Sequence, residues 1–174
     1  MGPETLVRVA EPGGVVRVML EYPFSGSRLA AVDAAGKLPL PPFVRDTLDR
    51  RGRADSLLIG RHEEDPCLIA YDRPFAAIVL ADVERRRLAE EAIAPQLHHA
   101  RARRAFGFVA AVEVEAGAIV LPELMRRRAA IGAQALLVGT GGMFEIWDAQ
   151  VALERGDPDL RELANFFLNQ KLAA

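Results

Sequence analysis

An internal duplication constrains this chain more than any other feature of its sequence. Residues 31–45 (AVDAAGKLPLPPFVR) match residues 112–126 (VEVEAGAIVLPELMR). Three pairs lie at a constant separation of 81 residues: Gly36 with Gly117, Pro41 with Pro122, and Arg45 with Arg126. Because the units of a repeat fold alike, the duplication predicts two similar modules in tandem.

Shorter matches downstream extend each copy. Residues 57–60 match residues 136–139, and residues 67–72 match residues 143–148, at separations of 79 and 76. The shrinking separation indicates short deletions in connecting loops, where changes in chain length are tolerated best. We therefore divide the chain into an N-terminal extension (1–21), a first repeat (22–95), a linker (96–103) and a second, degenerate repeat with a C-terminal helix (104–174).

Each copy has the pattern of a small module that is mainly β. In the first copy Leu38 and Leu40 alternate after Gly36 until Pro41, which lacks the amide hydrogen that a central strand needs. A short helix is predicted from Phe43 to Arg51, and two strands joined by a tight loop follow. The pattern predicts an α+β fold, mainly β, with short helices in each copy.

A longer helix is predicted after each β module. The first is amphipathic, runs from Asp82 to Ile93 and is ended by Pro95. The second begins at Asp157, a suitable N-cap, with Pro158 in its first turn. The predicted apolar anchors are Val83, Leu88 and Ile93 in the first helix, and Leu160, Leu163 and Phe167 in the second.

Composition limits the partners that this chain can have. The 22 basic and 24 acidic residues give a net charge of -2, so any nucleic-acid site must be a local basic patch. The lone cysteine, Cys67, cannot form an intrachain disulfide, which favours a reducing cytoplasm. Residues 1–20 include charged side chains and no apolar run reaches the length of a membrane span, so we expect no membrane association.

Residues suited to catalysis or metal binding do not form a recognisable set. The ligands in residues 61–65 (RHEED) are consecutive, which favours a solvated hairpin tip over a metal site. His98 and His99 have no cysteine or carboxylate cluster beside them. The glycine-rich residues 139–142 lack the Lys-Ser or Lys-Thr of a phosphate loop and favour a hairpin loop. We therefore expect no enzyme, cofactor, metal or small-molecule substrate.

Further residues, taken in order, complete a family pattern: Phe24-x-Gly26, Asp33-Ala34-Ala35-Gly36-Lys37 followed by Pro41 and Arg45, Pro66-Cys67-Leu68 with Tyr71, and Phe144-Glu145-Ile146-Trp147-Asp148. On these residues the chain resembles the MraZ family, regulators of the bacterial division and cell-wall gene cluster. That family shares the swapped-hairpin fold of AbrB-type transcription factors. The resemblance, which covers about Tyr22 to the C-terminus, implies two tandem AbrB/MraZ-type swapped-hairpin repeats.

Members of that family carry an Asp-x-x-x-Arg motif in each copy, on the hairpin that meets DNA, and form a ring-shaped homo-oligomer. Asp33 is present in the first copy, but Lys37 stands in place of the arginine. Lysine keeps the charge and loses the planar fork that reads guanine with two hydrogen bonds. The second copy has Val114 and Ala118 at these positions, and neither can contact DNA in that way.

The resemblance therefore implies a DNA site dominated by the first copy, with Lys37 as the main contact. Glu113 and Glu115 flank the corresponding site of the second copy and would repel a phosphate backbone. The whole predicted DNA-binding set is Lys37, Asp33, Arg28, Arg45, Gly36 and Arg126.

Two functions remain open from the sequence. The first is a cytoplasmic, nucleoid-associated regulator, a repressor that binds repeated promoter sites as a ring-shaped homo-oligomer. The alternative is an oligomeric scaffold or protein-interaction module that has lost DNA binding, which Val114 and Ala118 favour. The first 18 residues lie outside the resemblance, so we also expect that Met19 is the native start.

Overall fold

The part of the chain that can be described comprises Arg17, Met19 and residues 21–90 and 94–172, in a computed structural model. The first copy contributes the strands β1 (Ser27–Ala31), β2 (Lys37–Pro39), β3 (Ser56–Arg61) and β4 (Leu68–Tyr71). The second contributes β5 (Val109–Glu113), β6 (Ala118–Val120), β7 (Gln134–Gly139) and β8 (Phe144–Asp148). The prediction that the native chain starts at Met19 is not tested by the structure.

Helices follow the strands in both copies. They are α1 (Pro42–Arg50), α2 (Phe75–Glu90), α3 (Pro95–Ala102), a π-helical turn (Arg103–Gly107), α4 (Glu123–Arg128), α5 (Ala149–Arg155) and α6 (Pro158–Leu172). None of the helices in the described residues is long and apolar enough to cross a membrane. The predicted class, an α+β fold that is mainly β with short helices, is confirmed.

The two copies exchange strands instead of folding side by side. One sheet has the order β1-β7-β8-β4-β3-β5, and β2 pairs with β6 in a separate two-stranded ribbon. Every pairing is antiparallel. The counterparts in the two copies are β1 and β5, β2 and β6, β3 and β7, and β4 and β8. When each strand is exchanged for its counterpart, the order of the sheet is the same, read from the opposite edge. A pseudo-twofold axis therefore passes between β4 and β8 and between β2 and β6.

A single core fills the space between the sheet and the β2–β6 ribbon. Leu38 and Ile119, which face each other in the ribbon, are 0% and 1% exposed. Val44 from α1 and Met125 from α4 close the sides of this core. Because both copies supply its residues, neither copy could bury these side chains alone.

The outer face of the sheet is covered differently in the two copies. In the second copy Trp147 from β8 packs with Leu160 and Ala164 from α6 in a second core cluster. In the first copy the equivalent cover is α2, whose only buried side chain is Val83. The cover of the first copy is therefore much looser than that of the second.

The largest difference between a predicted and an observed helix limit lies at the start of α2. The helix predicted from Asp82 begins at Phe75, because Asp72 and Arg73 carbonyl groups accept the first turn's amide hydrogens and an uncharged apolar stretch continues the helix. Leu88, predicted as an anchor, is 67% exposed, and Ile93 lies outside the described residues.

The predicted linker, residues 96–103, is helical in this structure. Most of it belongs to α3, which packs against α2. The predicted C-terminal helix is confirmed: Asp157 accepts the Leu160 amide hydrogen at 2.9 Å as its N-cap, Leu160 is buried, and Leu163 and Phe167 pack on the second core cluster.

Candidate nucleic-acid interface

The turn of the first copy, residues 33–37, is organised by the Asp33 side chain. Its Oδ1 accepts the Lys37 amide hydrogen at 2.8 Å, while its carbonyl oxygen accepts that of Gly36 at 3.0 Å. Gly36 has a φ of +89°, in the region that favours glycine. The result is a three-residue turn that ends in a glycine bulge and holds Lys37 at the start of β2.

The matching segment of the second copy, residues 114–118, has the same number of residues but forms a different turn. Val114 offers no acceptor there, and the chain instead closes a two-residue turn between Glu115 and Ala118, whose amide and carbonyl groups pair in both directions. Ala116 and Gly117 in its centre both have positive φ, 49° and 74°. The replacement of Asp33 by Val114 therefore changes the backbone of the turn as well as its charge.

Each turn is covered by an arginine from the other copy. The Arg126 side chain lies over Gly36, where an added Cβ would come within 2.9 Å of its Cδ, and its Nη1 donates to the Ala34 carbonyl at 3.1 Å. Arg45 lies over Gly117 in the same way, at 3.2 Å. Arg45 and Arg126, which match in the duplication, thus each contact the turn of the opposite copy.

Lys37 is the most accessible cation of the first turn. Its side chain is exposed at the end of the ribbon, opposite the exposed Val120. Its ammonium group has no ion-pair partner among the described residues. Arg126, on the adjacent turn of α4, supplies a second positive charge to the same turn.

Arg28 lies apart from the turn, on the strand β1 at one edge of the sheet. Its side chain is exposed and pairs in register with Leu137 of β7. The structure thus brings Asp33, Gly36, Lys37 and Arg126 together at one turn, and it leaves Arg45 at the other turn and Arg28 on the sheet edge.

Half of the arginines in the four basic clusters of the sequence, Arg50-Arg51-Arg53, Arg85-Arg86-Arg87, Arg101-Arg103-Arg104 and Arg126-Arg127-Arg128, form ion pairs within the described residues. Arg51 is buried and binds Asp72 at 3.4 Å, the Tyr22 carbonyl, and the carbonyls of Gly141 and Gly142. The ion pairs of the others are Arg85 and Arg86 with Asp82, Arg86 with Glu63, Arg87 with Glu84, Arg101 with Glu63 and Glu90, and Arg127 with Glu123. These arginines are held in ion pairs, several of them at the surface, and are not an unpaired basic surface.

Sequence reasoning treated residues 61–65 as a solvated tip and missed what they do. Glu63 binds two arginines that come from α2 and α3. Arg61 lies near Arg104 and Arg128, and burial together with these like charges lowers its pKa. No cluster of three or more potential metal ligands occurs among the residues the structure describes.

Comparison with known proteins gives one consistent result. A protein of Bordetella pertussis, named transcriptional regulator MraZ, is 30% identical over 148 residues, which cover 84% of this chain and 97% of the relative. Proteins of the same name from Marinobacter nauticus and Burkholderia cenocepacia are each 28% identical, over 81% and 82% of this chain and 97% and 98% of their own lengths. No family model matches the chain.

These relatives define the chain as a transcriptional regulator. It belongs to the MraZ family, which its sequence resemblance also indicated. The relatives are named as regulators and not as enzymes.

Proposed function

We propose that this chain is a sequence-selective DNA-binding repressor of the division and cell-wall gene cluster, and that it acts at repeated sites upstream of its own operon. The observation that carries the proposal is the exposed, unpaired Lys37 at a turn that Asp33 holds rigid. A cation presented in this way can approach a phosphate without first breaking an ion pair. The proposal gives the chain no catalytic role and no cofactor.

The first turn is the stronger DNA contact in this proposal. It combines the charges of Lys37 and Arg126, and the Asp33 carboxylate is already bound to a backbone amide. The second turn presents Glu113 and Glu115, which are exposed, beside a single arginine, Arg45. Phosphate would therefore be attracted to the first turn and repelled by the second.

A ring-shaped homo-oligomer would compensate for the single lysine of each site. Several Lys37 turns that face several DNA repeats gain affinity through effective concentration, provided that their spacing matches. We propose that such a ring, acting in the cytoplasm at the nucleoid, is the DNA-binding form.

The test is binding of the full chain to its own upstream duplex and to a scrambled duplex, at about 50 and 200 mM salt. Lys37→Ala removes the proposed contact, and we expect it to weaken binding about tenfold or more, because each oligomer loses several contacts at once. Lys171→Ala is the matched control, since Lys171 is the only other lysine and is exposed on α6.

Selective, salt-sensitive binding that Lys37→Ala weakens and Lys171→Ala does not would support the proposal. A folded protein that binds neither duplex at low salt would contradict it and would favour the scaffold that Val114 and Ala118 suggest. A reporter gene under the upstream sequence tests the direction, with increased expression on deletion expected for a repressor.

A further inference from the structure

A cavity of about 460 Å³ separates α2 from the outer face of the first copy's sheet strands. Gly60, Ile69 and Tyr71 form its floor, and α2 forms its roof. At the corresponding place in the second copy the space is filled, because Trp147, which matches Tyr71 in the duplication, packs against α6. The first copy thus has a cavity at a place that is filled in the second copy.

The walls of this cavity are largely apolar, and charged side chains surround its opening to solvent. Its volume lies in the range of small-molecule pockets, which enclose most of a ligand's apolar surface. The side chains that line it and remain partly exposed are Ile69, Phe75, Ile78, Val79, Val109 and Met143. Apolar surface left half exposed in this way favours an apolar ligand.

The rim carries positive charge that the protein does not neutralise. Arg61 and Arg104 line the cavity and have no carboxylate partner among the described residues; Arg104 makes one hydrogen bond, to the Glu63 carbonyl at 3.3 Å. The lining acids Glu63 and Asp82 are already bound by Arg86, and Glu63 also by Arg101.

One further lining acid, Glu64, is exposed. Arg128 adds a third positive charge near Arg61, and burial, together with repulsion from Arg128 and Arg104, lowers the pKa of Arg61. An anionic head group at this rim would relieve that repulsion.

We infer that this cavity binds a small amphipathic anion, with an apolar chain between α2 and the sheet and a carboxylate or phosphate head group on Arg61 and Arg104. Guanidinium groups bind both kinds of head group through paired hydrogen bonds. None of the residues of the Lys37 turn lines this cavity, so the inference does not depend on the proposed DNA binding.

Calorimetric titration of the full chain tests the inference. The probes are dodecanoate and dodecyl phosphate, with dodecanol and dodecyltrimethylammonium as neutral and cationic counterparts, all below their micelle-forming concentrations. We expect the two anions to saturate one site per chain and to bind at least about tenfold more tightly than the alcohol or the cation, because only they gain charged hydrogen bonds. The tighter of the two anions identifies the head group.

Paired variants separate the cavity from nonspecific adsorption. Arg61→Met and Arg104→Met keep an unbranched apolar stem and remove the guanidinium charge; each should weaken anion binding about tenfold, whereas Arg103→Met, at an exposed arginine that does not line the cavity, should not. Val79→Trp should block binding, and Leu80→Trp, at the exposed neighbouring position, should not.

The inference is overturned if neither anion saturates a site, if dodecanol binds as tightly as the anions, or if the control variants weaken binding as much as their partners. Each variant is checked for folding by circular dichroism. DNA binding by the same preparations is measured separately, so failure here and failure of the repressor proposal give different results.

Discussion

Gly36 is the residue on which the geometry of the first turn depends most. Its φ of +89° is unfavourable for any residue with a side chain, and an added Cβ would lie 2.9 Å from the Arg126 Cδ and 3.0 Å from the Leu121 carbonyl oxygen. A side chain here would therefore strain the backbone and displace the arginine that covers the turn.

We expect Gly36→Ala to lower the free energy of unfolding by about 2 kcal/mol. Gly52→Ala is the matched control, because Gly52 also has a positive φ, +67°, but no atom lies within 4 Å of the added Cβ; its expected cost is about 1 kcal/mol. In an Arg126→Ala background Gly36→Ala should cost about 0.5–1 kcal/mol less, since the crowding atoms of the arginine are gone and only the Leu121 carbonyl oxygen remains close. Urea denaturation of the four variants measures these values, and an unchanged cost in the Arg126→Ala background would show that the arginine does not crowd the turn.

Residue types alone predicted part of this arrangement. The duplication pairs Arg45 with Arg126 and Gly36 with Gly117, but it does not show that each arginine covers the glycine of the opposite copy. That contact depends on strand exchange between distant segments, which no local pattern encodes. For Asp33 the resemblance implied a place in the DNA site, while the structure gives its carboxylate a hydrogen bond within the turn.

Among the elements, the pair α2 and α3 depends most on charge. Glu90 at the end of α2 binds Arg101 on α3, and Glu63 from the β3–β4 loop binds Arg101 at 3.0 Å. The hydrogen bond from Arg101 holds the pKa of Glu90 below its ordinary value of 4.5. These contacts connect elements between which few side chains are buried.

The stability that this ion pair contributes depends on pH with a definite sign. A carboxyl group whose pKa is lowered by folding stabilises the protein above its unfolded pKa, and the contribution is lost as the pH falls through the folded pKa. Glu90→Gln should therefore lower the Tm at pH 6, by about 1–3 °C for a largely exposed pair, and the difference from the unmodified chain should be smaller at pH 3, below the ordinary pKa of 4.5.

Thermal unfolding followed by circular dichroism at both pH values measures this difference. Glu162→Gln, at an exposed residue of α6 that forms no ion pair in the described part of the chain, is the control and should change the Tm at neither pH. An equal loss for Glu90→Gln at pH 6 and pH 3 would mean that packing, and not charge, is responsible.

The order of helices and strands could be predicted well from the sequence, and the residues at which they begin and end less well. Strand, turn, strand, helix and strand pair follow from proline and glycine positions in both copies, which is local information. The start of α2 was placed seven residues late, because Phe75 to Ala81 has no polar residues to show a helical period. The sequence also did not predict that residues 96–103 form a helix, since their arginines and histidines match a polar linker as readily.

On the scale of the whole molecule, strand exchange makes the two copies one cooperative unit. The buried Arg51 illustrates it: this first-copy side chain binds the carbonyls of Gly141 and Gly142 in the β7–β8 loop and lies 4.4 Å from the ring centre of Phe24. Burial lowers the pKa of Arg51, and Asp72 opposes that change. A charge held in this way stabilises the fold only while both copies are in place.

Against this symmetry, the two copies differ in their turns and in the packing on the outer face of the sheet. The two copies share the glycines, the arginines over them and the strand order, but Asp33 and Lys37 of one turn correspond to Val114 and Ala118 in the other. On the outer face of the sheet, the second copy's half is filled by Trp147 and α6, and the first copy's half keeps a cavity. We propose that the halves have divided their roles, with DNA contact assigned to the first turn.

Amide hydrogen exchange of the full chain, free and bound to its upstream duplex, tests this division most directly. The account predicts slower exchange on DNA binding at residues 33–37, where Lys37 meets the phosphates, and no change at residues 114–118. Equal protection of both turns, or protection of neither while DNA remains bound, would contradict it.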